Sequence, residues 1–282
     1  ITLLTPNEVT GCEDLPFEDP ALFNKVEEIA LYIAKMSAPG FKDNQWGDGS
    51  ENTTGYLKTL ENWNKKFDNL YLNYYTGNED EGEPFPFTSC KYDSERRIVL
   101  RSGWGEDDVY LYTDLDGGNV SHAHKDDNAI ILAAYGKYLL ADPLYASYSD
   151  ETTKFASTAF HNTVEIDGKS QSGGGKGDIQ NWETNSIFDN TANWSKSYRS
   201  SGINEWHLRN ILYIRPGFFL VSDYLKPYDN DTAEHTYRQR WIMPPDADMT
   251  VDTDTMTASS NTASTANIRV VSADKENISL EK

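Results

Sequence analysis

The chain has 282 residues, with 45 acidic against 25 basic side chains and a formal net charge of −20. Aromatic residues make up 12%, which excludes a wholly disordered acidic chain, because such chains lack the apolar groups that a core needs. The acidic balance argues against nucleic acid as a partner, since phosphate attraction requires a basic surface. No segment approaches the roughly 20 continuous apolar residues of a membrane span.

At roughly 150 residues per domain the chain has room for one large domain or two ordinary ones. Cys12 and Cys90 are too few for a disulfide framework or a cysteine-built zinc site, and their pairing is not readable from sequence. Ile1 is not an initiator methionine, and Ile278 to Lys282 alternate apolar and polar as if a strand were about to continue. Both ends give the expectation of a piece of a longer protein, so silence about targeting carries no information.

In chain order, the periodicity is first helical. Asp19 caps, Pro20 fits the first turn, and Leu22, Val26, Ile29, Ala30 and Ile33 fall on one face. After a Gly/Asn/Asp-rich stretch, a second stripe runs through Leu57, Leu60, Trp63, Phe67, Leu70, Tyr71 and Tyr74, with Gly77 as the C-cap. The expectation is two amphipathic helices in an antiparallel pair, their aromatic residues serving as core. An acidic, Pro-containing linker (78–86) then gives way to strand signals over 97–101, 108–112, 129–134, 137–141, 162–166, 208–214, 218–222 and 237–242. Tight-turn signals separate them at Tyr135-Gly136, Asp167-Gly168 and Pro216-Gly217. Many strands with short turns and no intervening helices predict an antiparallel sandwich, making the class α+β. The glycine-rich loop 171–177 lacks the Lys-Ser/Thr ending of a phosphate cradle. The Thr/Ser/Asp-rich tail over 246–265 reads as edge strands or a mobile loop.

Chemistry concentrates between His122 and His161. Three of the five histidines lie there: His122 and His124 in a His-x-His pair, and His161 before Asn162-Thr163. On an extended segment such a pair puts both imidazoles on one face. Asp142 ends the strand that follows. Two imidazoles, a carboxylate and an open position suit a divalent metal, zinc above all. Register supplies a test. A strict two-residue turn at Tyr135-Gly136 pairs residue 129 with 142 and turns Asp142 away from His124. The metal site therefore requires a bulged three-residue turn with Gly136 left-handed, or a break in the strand near Lys125.

Three segments, Gly118-Asn-Val-Ser-His-Ala-His-Lys-Asp-Asp-Asn128, Gly136-Lys-Tyr-Leu-Leu-Ala-Asp-Pro-Leu-Tyr145 and Phe160-His-Asn-Thr-Val-Glu-Ile-Asp-Gly168, resemble the heparinase II/III family of polysaccharide lyases. Trp46-Gly-Asp-Gly49 and Ile98-Val-Leu-Arg-Ser-Gly-Trp104 are similar to the join between that family's helical toroid and its sandwich. The resemblance implies the last helices of an incomplete α/α toroid over 1–80, then a large antiparallel super-sandwich over 81–282, truncated at its C-terminal end. It implies a bacterial, periplasmic or extracellular enzyme that cleaves an acidic, uronate-containing polysaccharide by β-elimination. It implies one structural zinc ion on His124, Asp142 and His161, with His122 lining the catalytic cleft. The family's catalytic Tyr and its companion sit on toroid helices upstream, so the chain is expected to be short of half its active site.

Elimination beside a uronate needs the sugar carboxylate neutralised, a base for the C5 proton and an acid for the departing 4-oxygen. A Tyr serves as base only if donors or positive charge lower its reference pKa of about 10, and His122 can supply such a donor. Tyr148 or Tyr145 are further candidates for that cleft. A charge of −20 should repel a polyanion at long range, unless Lys125, Arg238 and Arg240 form a local basic patch.

Two other classes fit parts of the pattern. A cupin-like metalloenzyme would use the His-x-His pair, His161 and Asp127 in place of Asp142. A non-catalytic carbohydrate-binding domain would present Trp182, Trp194, Trp206 or Trp241 as stacking platforms, although packing is their ordinary role. His207 and His235 read as surface or structural residues. Oligomeric state is not readable.

Overall fold

The computed structural model describes residues 19–38, 40, 54–115, 124–143, 153–172, 177–195, 198, 203, 205–227, 232–245, 247–260, 266–269 and 279. It opens with α1 (Pro20–Met36), where the Asp19 carboxylate accepts from the Ala21 N–H at 2.8 Å and Pro20 takes the first helical position. The second apolar stripe is two helices, α2 (Thr54–Phe67) and α3 (Leu70–Tyr75). The chain breaks at Asp68, which has φ +53°, and Asn69 restarts it by accepting from the Tyr71 and Leu72 N–H groups. Asp and Asn tolerate the left-handed region and favour caps over helix interiors, so local chemistry overrides a continuous apolar face. Ala30, Ala34, Leu60, Trp63, Leu72, Tyr75 and Phe85 close the helical core.

Fourteen strands are described. β1 (Cys90–Tyr92), β2 (Arg97–Arg101), β3 (Tyr110–Asp114), β4 (Ile130–Ala134) and β5 (Lys137–Leu140) form one antiparallel sheet in sequence order. A short β6 (Val164–Ile166) follows. Then β7 (Asp178–Thr184), β8 (Phe188–Ser195), β9 (Glu205–Ile214) and β10 (Phe218–Pro227) build a second antiparallel sheet. β11 (Tyr237–Gln239) pairs with β6, and β12 (Met249–Asp252), β13 (Thr257–Ser260) and β14 (Ala266–Arg269) make a last small sheet.

The first sheet is the middle of three layers. Ile98, Leu100, Leu111 and Ile130 pack against Ile211 and Tyr213 of the second sheet. Val99, Tyr110, Tyr112 and Ile131 pack against Met36 and Ala38 at the end of α1. Burial on both faces explains why these strands read as unbroken apolar runs. β8 and β9 alternate buried and half-exposed positions instead, because their outer face meets solvent. The architecture is α+β, helices followed by an antiparallel β-sandwich.

The turn at Tyr135-Gly136 is a two-residue one, with φ +55° and +69° at the two positions, joining Ala134 directly to Lys137. This corrects the expected three-residue turn. The parity change comes from a bulge inside the hairpin. Ala133 pairs with Tyr138 but Leu132 pairs with Leu140, leaving Leu139 as the extra residue.

A polar hub sits between the layers. The Asp223 carboxylate on β10 accepts from Arg209 Nε at 2.7 Å and Nη2 at 2.8 Å, from His207 Nε2 at 2.8 Å and from Gln239 Nε2 at 2.7 Å. Burial pushes this carboxyl upward, but the Arg209 charge and hydrogen bonds, followed by His207, outweigh it and hold the group well below the usual carboxylate range. A depressed folded-state value gives stability that is whole above the unfolded value of about 3.9 and lost as pH falls below it. The urea midpoint should therefore fall on acidification below about pH 4, and Asp223→Asn should lower stability at neutral pH while making that acid dependence shallower. An unchanged acid slope in the variant would refute the assignment.

Candidate metal centre

Three separate segments deliver the cluster, none of them from inside a regular strand. His124 begins the irregular stretch before β4, Asp142 lies two residues past β5, and His161 follows a short 3₁₀ turn over Thr158–Phe160. The segment before His124 lies outside the described residues, but 124–129 is not strand: the chain turns through Asn128, at φ +62°, before entering β4. Counting through the Leu139 bulge gives Asp142 the parity of Ile130, the side that faces the second sheet.

The three side chains are buried, and one donor atom from each lies within 4.8 Å of the others. His161 Nδ1 is 2.7 Å from Asp142 Oδ2, and the two imidazole rings have centroids 5.1 Å apart. His161 Nε2 and Asp142 Oδ1 are buried with no hydrogen-bond partner among the described residues. Leaving such atoms unmatched is costly in a folded protein. A neutral imidazole keeps a lone pair on one of its two ring nitrogens, and either can ligate a metal. Two imidazoles and a carboxylate are a borderline donor set suited to zinc. The residues present therefore fit a divalent ion.

A dense network fixes the segments. Lys125 N–H donates to Ala156 C=O at 2.8 Å, and the Lys125 carbonyl accepts from Thr158 Oγ1 at 2.7 Å. This ties the His124 segment to the turn that carries His161. Gln171 accepts from the Asp127 N–H and donates to the Asp127 carbonyl, at 2.8 and 3.0 Å. The Asn162 amide donates to the Ala141 carbonyl at 2.7 Å, beside Asp142, and accepts from the Ile242 N–H. Asn162, Gln171 and Arg209 gave no signal by spacing. Their role depends on backbone carbonyls brought together from distant segments.

Other candidates fall elsewhere. Asp127, the carboxylate of the cupin-like alternative, accepts from Ser195 Oγ at 2.7 Å and is outside the cluster, which takes Asp142. Together with the three-layer architecture, this removes that reading. His122, Tyr145 and Tyr148 lie outside the described residues. Arg238 and Arg240 both pair with Glu165, so part of the expected basic patch is neutralised by its own strand partner. Trp182 and Trp241 pack against the main core, while Trp194 and Trp206 stack on each other at 5.1 Å and 18°. His207 contacts Asp223 and His235 contacts Asp167, both structural pairings. Cys90 is a free, half-buried thiol, and Cys12 is outside the described residues. No helix among the described residues is long and apolar enough to cross a membrane.

No protein of curated function matches this chain. Among solved structures, a heparan sulfate lyase HepC mutant from Pedobacter heparinus is similar at a TM-score of 0.81 and 19% identity, covering 91% of this chain and 40% of that one. A heparinase III gene product is similar at 0.76 and 19% identity, covering 86% and 38%, and another heparinase III at 0.72 and 16%, covering 86% and 40%. The chain thus spans about two-fifths of the length of these structures, and at such identities the likeness shows a shared fold. The sequence profile described as "Heparinase II/III-like, C-terminal" matches residues 99–282, a span that contains the whole cluster, and the chain belongs to the heparinase II/III-like family.

Proposed function

We propose that this chain is the carboxy-terminal part of a lyase that cleaves a uronate-containing polysaccharide by β-elimination, with one structural zinc ion on His124, Asp142 and His161. The observation that carries this reading is the convergence of three buried metal-type donors from three irregular segments inside the family-matched region. Zinc bound there would cross-link the segments before β4, after β5 and before β6. It would also leave the chemistry of elimination to organic groups.

In this reading residues 1–80 close the toroid, residues 81–282 form the sandwich, and the protein acts in the periplasm or outside a bacterial cell. His122, two residues before the ligand His124, would line the substrate cleft in this reading. It donates to the uronate carboxylate or to the base, which makes the C5 proton removable. Tyr148 would contribute to the same cleft, receiving or returning a proton at its phenolic oxygen. The base and its companion come from toroid helices upstream.

Two outcomes follow. Elemental analysis should find one zinc per chain, and chelation should lower the thermal midpoint. Asp142→Asn and His161→Ala should each weaken zinc binding by more than the roughly 10–100-fold typical of losing a group that only orients a ligand, and should lose the chelator response. In the longer protein that includes the upstream helices, a panel of uronate polysaccharides should yield ultraviolet absorbance from the unsaturated product. His122→Ala should lower that rate by roughly 100-fold or more with zinc content unchanged. A folded, zinc-loaded protein silent across the panel would overturn the lyase assignment.

A further inference from the structure

We propose that Arg209 is the positioning residue of the metal centre, a single guanidinium that sets the spacing of the two histidine segments, and that Asp223 holds it in place. The proposal rests on the zinc reading above and adds a role that the ligands themselves do not reveal.

Arg209 lies on β9 and is fully buried. Its Nη1 donates to the Asn128 carbonyl at 2.8 Å and to the Asn162 carbonyl at 2.6 Å. Asn128 is four residues past His124, and Asn162 is the neighbour of His161. The same guanidinium gives Nε and Nη2 to the two oxygens of Asp223. Four of its five N–H donors are thereby assigned, two to each purpose. Through the Asn162 amide the network continues to the Ala141 carbonyl, next to Asp142. All three donor segments are therefore registered on one side chain.

A planar guanidinium suits this task because its donors diverge at fixed angles. A two-point grip by a carboxylate then determines where the remaining donors point. Lysine, a compact ammonium with three rotatable donors, cannot grip Asp223 at both oxygens and still meet two carbonyls. A pair needed only to join neighbouring strands could stay within β9 and β10, where Arg209 and Asp223 are already cross-strand neighbours. The two further bonds leave those strands and go to the histidine segments.

The test is zinc affinity, measured by competition with a chromophoric chelator at a temperature where each apo-protein is folded by circular dichroism. Arg209→Lys should weaken zinc binding by roughly 10–100-fold and shrink the rise in thermal midpoint that zinc produces. Arg101→Lys removes another fully buried guanidinium, one that donates to the Lys35 and Ser37 carbonyls. It should lower apo-protein stability and leave zinc affinity as in wild type. If Arg209→Lys does not fold, Gln239→Ala serves, because Gln239 is exposed and holds Asp223 from β11 by one bond. It should weaken zinc by up to roughly tenfold, the scale of one lost hydrogen bond. Wild-type protein that takes up no zinc would sink the metal reading itself. Wild-type protein that binds zinc, with folded Arg209→Lys or Gln239→Ala binding it equally well, would overturn the positioning role alone.

Discussion

Polar atoms removed from water must find partners inside the protein, and this requirement governs the arrangement where the two sheets meet. Asp127, Asn128, Asn162, Arg209 and the cluster His124, Asp142 and His161 all lie buried there. Most of them answer one another through carbonyls and amides contributed from distant parts of the chain. The apolar layers on either side make each missing bond expensive. Local backbone choices follow from this. Segment 124–129 is irregular because its carbonyls are taken by Thr158, Thr163 and Arg209 rather than by a neighbouring strand.

The sequence made the framework legible where one physical cause acted alone. Asp19-Pro20 at the head of α1 and the apolar runs of β2 and β4 were readable because capping geometry and two-sided burial leave strong local marks. The cluster was readable because metal donors are few in kind and their order along the chain is specific. β7 and β8 escaped notice: their residues are largely polar, and what makes them strands is pairing in series, β7 with β8 and β8 with β9. The stripe from Leu57 to Tyr74 concealed a break, since Asp68 and Asn69 favour a turn that an apolar count does not register. Arg209 was unreadable for another reason. Its meaning lies in which carbonyls stand 2.6 to 2.8 Å away, and those belong to residues 47 and 81 positions distant.

Electrostatics shapes the same region in a second way. The chain carries a net charge of −20, yet Arg209 is matched to Asp223, and Arg238 and Arg240 to Glu165, along the seam of β6, β9, β10 and β11. These three cations are thus matched internally. If the proposed anionic substrate is the right one, its recognition would depend on short-range donors, because a net charge of −20 opposes long-range attraction.

The surplus residue at Leu139 has an implication for how this hairpin can change in length. Side chains alternate across a strand, so inserting or deleting one position between Gly136 and Asp142 would swing the carboxylate to the opposite surface, towards α1. Changes of two residues would preserve its direction. Related chains should therefore vary this short stretch by even steps, or carry a compensating irregularity elsewhere in the hairpin, wherever the acid keeps its partnership with the imidazoles.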